Sequence, residues 1–207
     1  MRLGLFFPVA RVTLNIVMSA KKHNLKPIVA AIVLTVTFSL PLQAQESAKG
    51  AFPPDMLGAL QHAPPDEAKR LAEEIALRWT QSGSAAMDLL VKRGQDALKR
   101  GEMTVALDHF TALTDHAPDF AEGWHLRASA FYQTQKFGMA LHDLERALTL
   151  NPNHFQALYG LGVILEQLDR PKMALEAYEL ALAIYPHYDE ANDAIARVRD
   201  LARGPEL

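Results

Sequence analysis

Three stretches of this chain superpose on one another without a gap, and that constrains its 207 residues more than any single motif in them. Ala106, Ala140 and Ala174 stand 34 residues apart, as do Pro118, Pro152 and Pro186. The same step joins Leu90, Trp124 and Leu158; Gly94, Ala128 and Gly162; Ala97, Phe131 and Leu165; Phe110, Leu144 and Tyr178; and Leu113, Ala147 and Ala181. A unit of this length cannot bury its apolar surface alone, so successive units must stack into an array in which each covers its neighbour. Such a chain is a binding surface before it is a catalyst.

Within a unit the apolar residues fall at helical spacing. Trp124, Ala128 and Phe131 make one stripe and Ala140, Leu144 and Ala147 a second, so each unit reads as a helix-turn-helix. The small residues let two helices approach, and a bulky one such as Trp124 or Phe131 fills the space beside them. The proline near the end of each unit cannot continue the preceding helix and marks the handover to the next.

The order of these positions, Trp, then Leu-Gly, Tyr, Ala, Phe and Pro with conservative replacements, resembles the tetratricopeptide repeat (TPR) family. Unit one spans 87–120, unit two 121–154, the nearest match, and unit three 155–188. Arg93 and Arg127 depart from the pattern by standing where it has Leu, and Leu161 restores it. A buried arginine needs a partner, and Asp143 on the facing helix is the candidate for a structural ion pair with Arg127. Ligand binding by Arg127 is the alternative.

The resemblance implies an all-α solenoid, a right-handed superhelix of three units whose first helices line the concave side. Carried over residue by residue, the partner-binding groove comprises Val91, Gln95, Leu98 and Lys99 from unit one. It continues with His125, Ser129, Tyr132 and Gln133, then Tyr159, Val163, Glu166 and Gln167, and ends at Asp193 and Arg197 on the terminal helix. Tyrosines, a histidine and neutral amides contact a peptide through ring area and hydrogen bonds at small cost in side-chain entropy. Members of the family that grip a C-terminal carboxylate do so with Lys, Asn and Arg on these faces. Here Val91, His125 and Tyr159 replace the lysine and Gln95, Ser129 and Val163 the asparagine, which points to an internal extended or helical segment as the ligand.

Stacked units leave apolar faces at both ends, which solenoids cover with atypical elements. Residues 189–203 continue the phase with Ile195, Val198 and Leu201 and read as a C-terminal capping helix, stopped by Gly204 and Pro205. Residues 66–82 place Leu71, Ile75 and Trp79 on one face and read as an N-terminal capping helix over unit one, across the Ser82-Gly83-Ser84 turn. Residues 45–65, with Pro53-Pro54 and Pro64-Pro65, read as an extended linker with a weak helical tendency near Met56 to Leu60.

All charges among the first 44 residues are basic, and the first acid is Glu46. Lys21, Lys22 and Lys26 precede an uncharged run from Ile28 to Leu42 and the small-residue site Leu42-Gln43-Ala44, the pattern of an export signal cleaved after Ala44. A start at Met18 would make this an ordinary signal. An uncleaved anchor at residues 28–42 is the alternative. Either reading places the repeats outside the cytoplasm, in a bacterial cell the periplasm. The chain has no cysteine, so neither disulfides nor a lipid-modified cysteine enter. Removing residues 1–44 changes the net charge from −3 to −8, which disfavours nucleic acid as a partner.

A nucleophile elbow, a phosphate-binding glycine loop and a His-Glu-Xaa-Xaa-His zinc motif are all missing. The histidines His62, His109, His116, His125, His142, His154 and His187 read as surface or turn residues, His116, His154 and His187 falling between units. No catalytic, cofactor-binding or metal-ligating residue is expected, and no small-molecule substrate. The chain therefore reads as a non-catalytic adaptor of the cell envelope that binds a segment of a partner protein. A membrane-anchored or self-associating assembly component is the alternative, followed by a metal-handling or enzymatic role through the histidines.

Overall fold

A computed structural model describes residues 56–203, with side chains described as far as residue 201. The expected signal, the alternative anchor at 28–42 and most of the linker lie outside these residues. The described residues fold into helices: α1 (Met56–His62), α2 (Pro65–Trp79), α3 (Ala85–Lys99), α4 (Met103–His116), α5 (Ala121–Gln133), α6 (Phe137–Leu150), α7 (Phe155–Gln167), α8 (Pro171–Ile184) and α9 (Asp189–Arg203). Helices α3 to α8 are the paired helices of the three units, and each unit packs on the next through α4 against α5 and α6 against α7. None of the described helices is long and apolar enough to cross a membrane.

The same turn closes every pair. The amides of Glu102, Lys136 and Arg170 donate to the carbonyls of Ala97, Phe131 and Leu165, each at 2.9 Å. Those of Gly101, Gln135 and Asp169 donate to Leu98, Tyr132 and Glu166. This is the Schellman arrangement, which needs a left-handed residue after the helix. Gly101 supplies it at φ 76° without strain, whereas Gln135 and Asp169 adopt φ 58° and 55° with a Cβ present.

Inside each unit, small and large residues exchange volume across the helix pair. A Cβ added to Gly94 would meet the Phe110 ring at 2.3 Å, and one on Gly162 would meet the Tyr178 ring at 2.4 Å. In the middle unit the partner is the slimmer Leu144, and the first helix carries Ala128. Ala106, Ala140 and Ala174 are fully buried in all three units.

Arg127 is paired as its position required. Its Nε and Nη2 donate to Asp143 Oδ2 and Oδ1 at 2.7 and 2.8 Å, and its Nη1 donates to Thr114 Oγ1 at 2.8 Å. The guanidinium lies over the Trp124 ring, 4.8 Å from its centre. The network joins α4, α5 and α6, so it ties unit one to unit two. Arg93, its counterpart in unit one, is exposed.

The two flanks differ from expectation in unequal degree. Helix α9 lies against α8, burying Ala194, Ile195 and Val198 with Leu165, Ala177 and Tyr178, while Leu201 stays exposed. Helix α2 does not cover unit one. It forms a hairpin with α1, and both fold back on the far end of the array, where Leu60, Ala68, Ala72 and Ile75 share a core with Phe155 and Tyr185. Gln61 Nε2 donates to the Ala183 carbonyl at 2.7 Å, near the end of α8, and the Trp79 ring packs on Phe155 at 5.1 Å. The apolar face of α2 meets the aromatic residues Phe155 and Tyr185 at the ends of α7 and α8, and α1 within the expected linker adds Leu60 to the same core. Burying these aromatic rings is what outweighs the entropy of the long loop closure.

Candidate functional site

The first helices α5 and α7 and the turn before α9 enclose a groove of about 370 Å³. His125, Ser129, Tyr132, Gln133, Tyr159 and Val163 line it, the six expected positions that the structure brings together. Ala128, Leu144, Gly160 and Ile164 form its floor, with Gln156 and Tyr188 on the wall. Neither Gln156 nor Tyr188 was among the expected residues. Tyr188 precedes the terminal helix and comes over the groove only because α9 turns back on α8.

The walls are aromatic and include no Asp, Glu, Lys or Arg. Tyr159 packs between Tyr178 and Tyr188, at 5.6 and 5.2 Å between ring centres, and Tyr132 rests on Phe137 at 5.9 Å. Burial, together with nearby Glu190, raises the phenols of Tyr159 and Tyr188, so both stay neutral donors. Ser129 donates to the His125 carbonyl at 3.1 Å, and its oxygen remains an acceptor.

The other expected groove residues have different roles. Val91 is 3 % exposed and belongs to the core shared by units one and two, with Leu126 and Ala130 of α5. Leu98 packs partly on the same core. Gln95 and Lys99 lie on α3 outside the enclosed groove, and Gln167 and Asp193 are exposed. Glu166 accepts two bonds from Arg197, 2.7 Å from Nε and 2.8 Å from Nη2, and a third from the Tyr178 hydroxyl at 3.0 Å. That pair fastens α9 to α7 and α8. The hydrogen bond from Arg197 holds the Glu166 carboxyl below its ordinary value.

Beside the groove lies a cluster the sequence reading missed. His154, assigned above to an ordinary turn, is fully buried. Its Nδ1 accepts from the Ala157 amide at 3.3 Å, capping α7, and its Nε2 therefore carries the proton that reaches Glu122 Oε2 at 2.8 Å. His125 Nδ1 lies 3.3 Å from the same oxygen, and its ring is 4.6 Å from that of His154. The Trp79 ring covers His154 from the other side at 4.2 Å. Burial pushes the Glu122 carboxyl up, but the His125 and His154 rings outweigh it and hold the group down at about 2. Burial, followed by the charge on His125, lowers His154 and keeps it neutral. The signal that could have revealed the cluster is the helical spacing of Glu122 and His125 on α5. His154 joins them only through the stacking of units two and three.

Comparisons with known proteins place this architecture. The tetratricopeptide repeat family matches residues 91–140 and 125–189. A TPR repeat-containing protein of Rhizobium etli is 32% identical over 140 residues, covering 68% of this chain and 69% of the relative. This chain is a tetratricopeptide repeat protein. Small glutamine-rich tetratricopeptide repeat-containing protein 2 of Saccharomyces cerevisiae is 25% identical over 158 residues, and the match spans 75% of this chain but only 45% of the yeast protein. Among solved structures, the first TPR of Spaghetti bound to HSP90 peptide SRMEEVD superposes with a TM-score of 0.56 at 25% identity, covering 57% of this chain and 94% of that one. The Sgt2 TPR domain of Aspergillus fumigatus gives a TM-score of 0.56 at 25% identity over 60% of this chain and 86% of that one.

Proposed function

We propose that this TPR protein is a non-catalytic adaptor of the cell envelope, exported by its N-terminal segment, that holds a segment of another protein in the groove between α5 and α7. The observation that carries the reading is the groove of about 370 Å³ with Tyr132, Tyr159 and Tyr188 around an apolar floor. Aromatic walls with neutral donors grip a chain by ring area and hydrogen bonds. The peptide seated on the Spaghetti repeat contains two glutamates and an aspartate, whereas this groove has no lysine or arginine in its lining. An acidic end is therefore not its ligand. An internal segment of neutral and apolar residues fits, and blocking such a peptide's C-terminus should leave its affinity nearly unchanged.

The test is photo-crosslinking in the cell from a photoreactive residue at Tyr132 or Tyr159, with exposed Lys172 as the control position. Capture of the same envelope protein from both groove sites and not from Lys172 supports the adaptor. A second reading rests on a different feature. Val105, Met139 and Met173, again 34 residues apart on the second helices, are 41%, 51% and 48% exposed and form an apolar column suited to self-association. Crosslinking only to further copies of this chain, with a dimer or larger species in light scattering, would favour that assembly role.

A further inference from the structure

We propose that Glu122, His125 and His154 form a binding site for one divalent transition-metal ion of the zinc class. One carboxylate oxygen and two imidazole nitrogens lie within 4.8 Å of one another. Tetrahedral zinc with bonds of about 2.0–2.1 Å sets its ligands about 3.3 Å apart. Glu122 Oε2 already stands 2.8 Å from His154 Nε2 and 3.3 Å from His125 Nδ1, so small side-chain rotations suffice. Imidazole and carboxylate together suit zinc and its neighbours, and two histidines with one glutamate leave a fourth position for water.

Arg78, Glu122 and His154 also line one cavity, where Arg78 is bonded to Glu74 at 2.8 Å. That cavity, of about 430 Å³, provides an entry path and room for the water ligand. Coordination displaces the Nε2 proton of His154 to Nδ1, which ends the 3.3 Å bond from the Ala157 amide, and the His125 proton moves to Nε2. The ion would join α5 to the turn before α7, and so unit two to unit three at the wall of the groove.

The test is isothermal titration of the full chain with zinc chloride near neutral pH, combined with nitrogen-15 spectra of the histidine rings. The expected result is one zinc per chain, with affinity weaker by more than about 100-fold in His125→Gln and in Glu122→Gln, above the usual effect of losing an outer-shell partner. His142→Gln, 72% exposed at its side chain, should bind as the parent does. Absence of zinc binding, or binding that survives either substitution at the cluster, overturns the proposal. If Glu122→Gln does not fold, the parent's spectra decide. Zinc must shift His154 Nε2 and His125 Nδ1 into the metal-bound range with a change of tautomer at His154, and rings left unmoved refute the site.

Discussion

Arg127→Met removes the guanidinium and retains its apolar volume, leaving Asp143 buried without its partner. The Asp143 side chain is 2% exposed and that of Arg127 14%, so the pair is shielded but not sealed. Breaking a buried pair by removing one partner costs about 3–5 kcal/mol, and the access of Arg127 to solvent places this one near the lower end. Losing its position over Trp124 adds about 0.5–1 kcal/mol. A total near 3–4 kcal/mol corresponds to a fall in Tm of about 6–16 °C for a domain of this size. Thr114 is not stranded, because its hydroxyl donates to the Thr111 carbonyl at 3.0 Å. The double variant Arg127→Met, Asp143→Leu removes both charges, and replacing a buried pair by packed apolar residues is often neutral, so it should melt within a few degrees of the parent. Thermal unfolding followed by far-UV circular dichroism reads all three. A single variant that melts within about 2 °C of the parent, or a double variant no more stable than the single, would refute the reasoning.

Gly94→Ala and Gly162→Ala each drive a Cβ into a buried ring and should lose about 1–3 kcal/mol, whereas Gly138→Ala, with no atom within 4 Å, should gain a few tenths to about 1 kcal/mol in chemical denaturation. Trp79→Ala should lower stability by about 2 kcal/mol, less than for a fully buried tryptophan, and speed amide exchange in α1 and α2 above that of α5 to α8; unchanged protection of the hairpin would show that Trp79 does not hold it. The folded pKa of Glu166 lies below its ordinary value of 4.5, so its bond to Arg197 adds stability above that pH and loses it as pH falls through the lowered value. With Arg197 55% exposed the effect is about 1 kcal/mol or less, and faster exchange in α9 as the pH falls through the lowered Glu166 value, absent in Glu166→Gln, is the expected signature.

Much of this was legible in the order of the residues. Helix pairs, their turns and the closure of α9 on unit three depend on contacts between neighbours in the array, and these recur at one offset, so Ala106, Ala140 and Ala174 announce them. Arg127 with Asp143 was readable for the same reason, as a polar residue in an apolar column requires a partner on the facing helix. Six groove residues on α5 and α7 follow from the family resemblance, which assigns the first helix of each unit to the concave side. Val91 was misplaced because that assignment gives a face but not whether the next unit buries it.

What the tertiary structure decided lies off the period. Gln61 reaches Ala183 across 122 residues, and the hairpin α1–α2 covers Phe155 and Tyr185 rather than unit one. His154 looked like a polar turn residue, yet the stacking of unit three on unit two and the Trp79 ring bury it against Glu122. Repetition makes nearest-neighbour packing visible because the same interface is written three times. A docking interface made once leaves no such record, and its geometry depends on which exposed aromatic surface remains after the array has assembled.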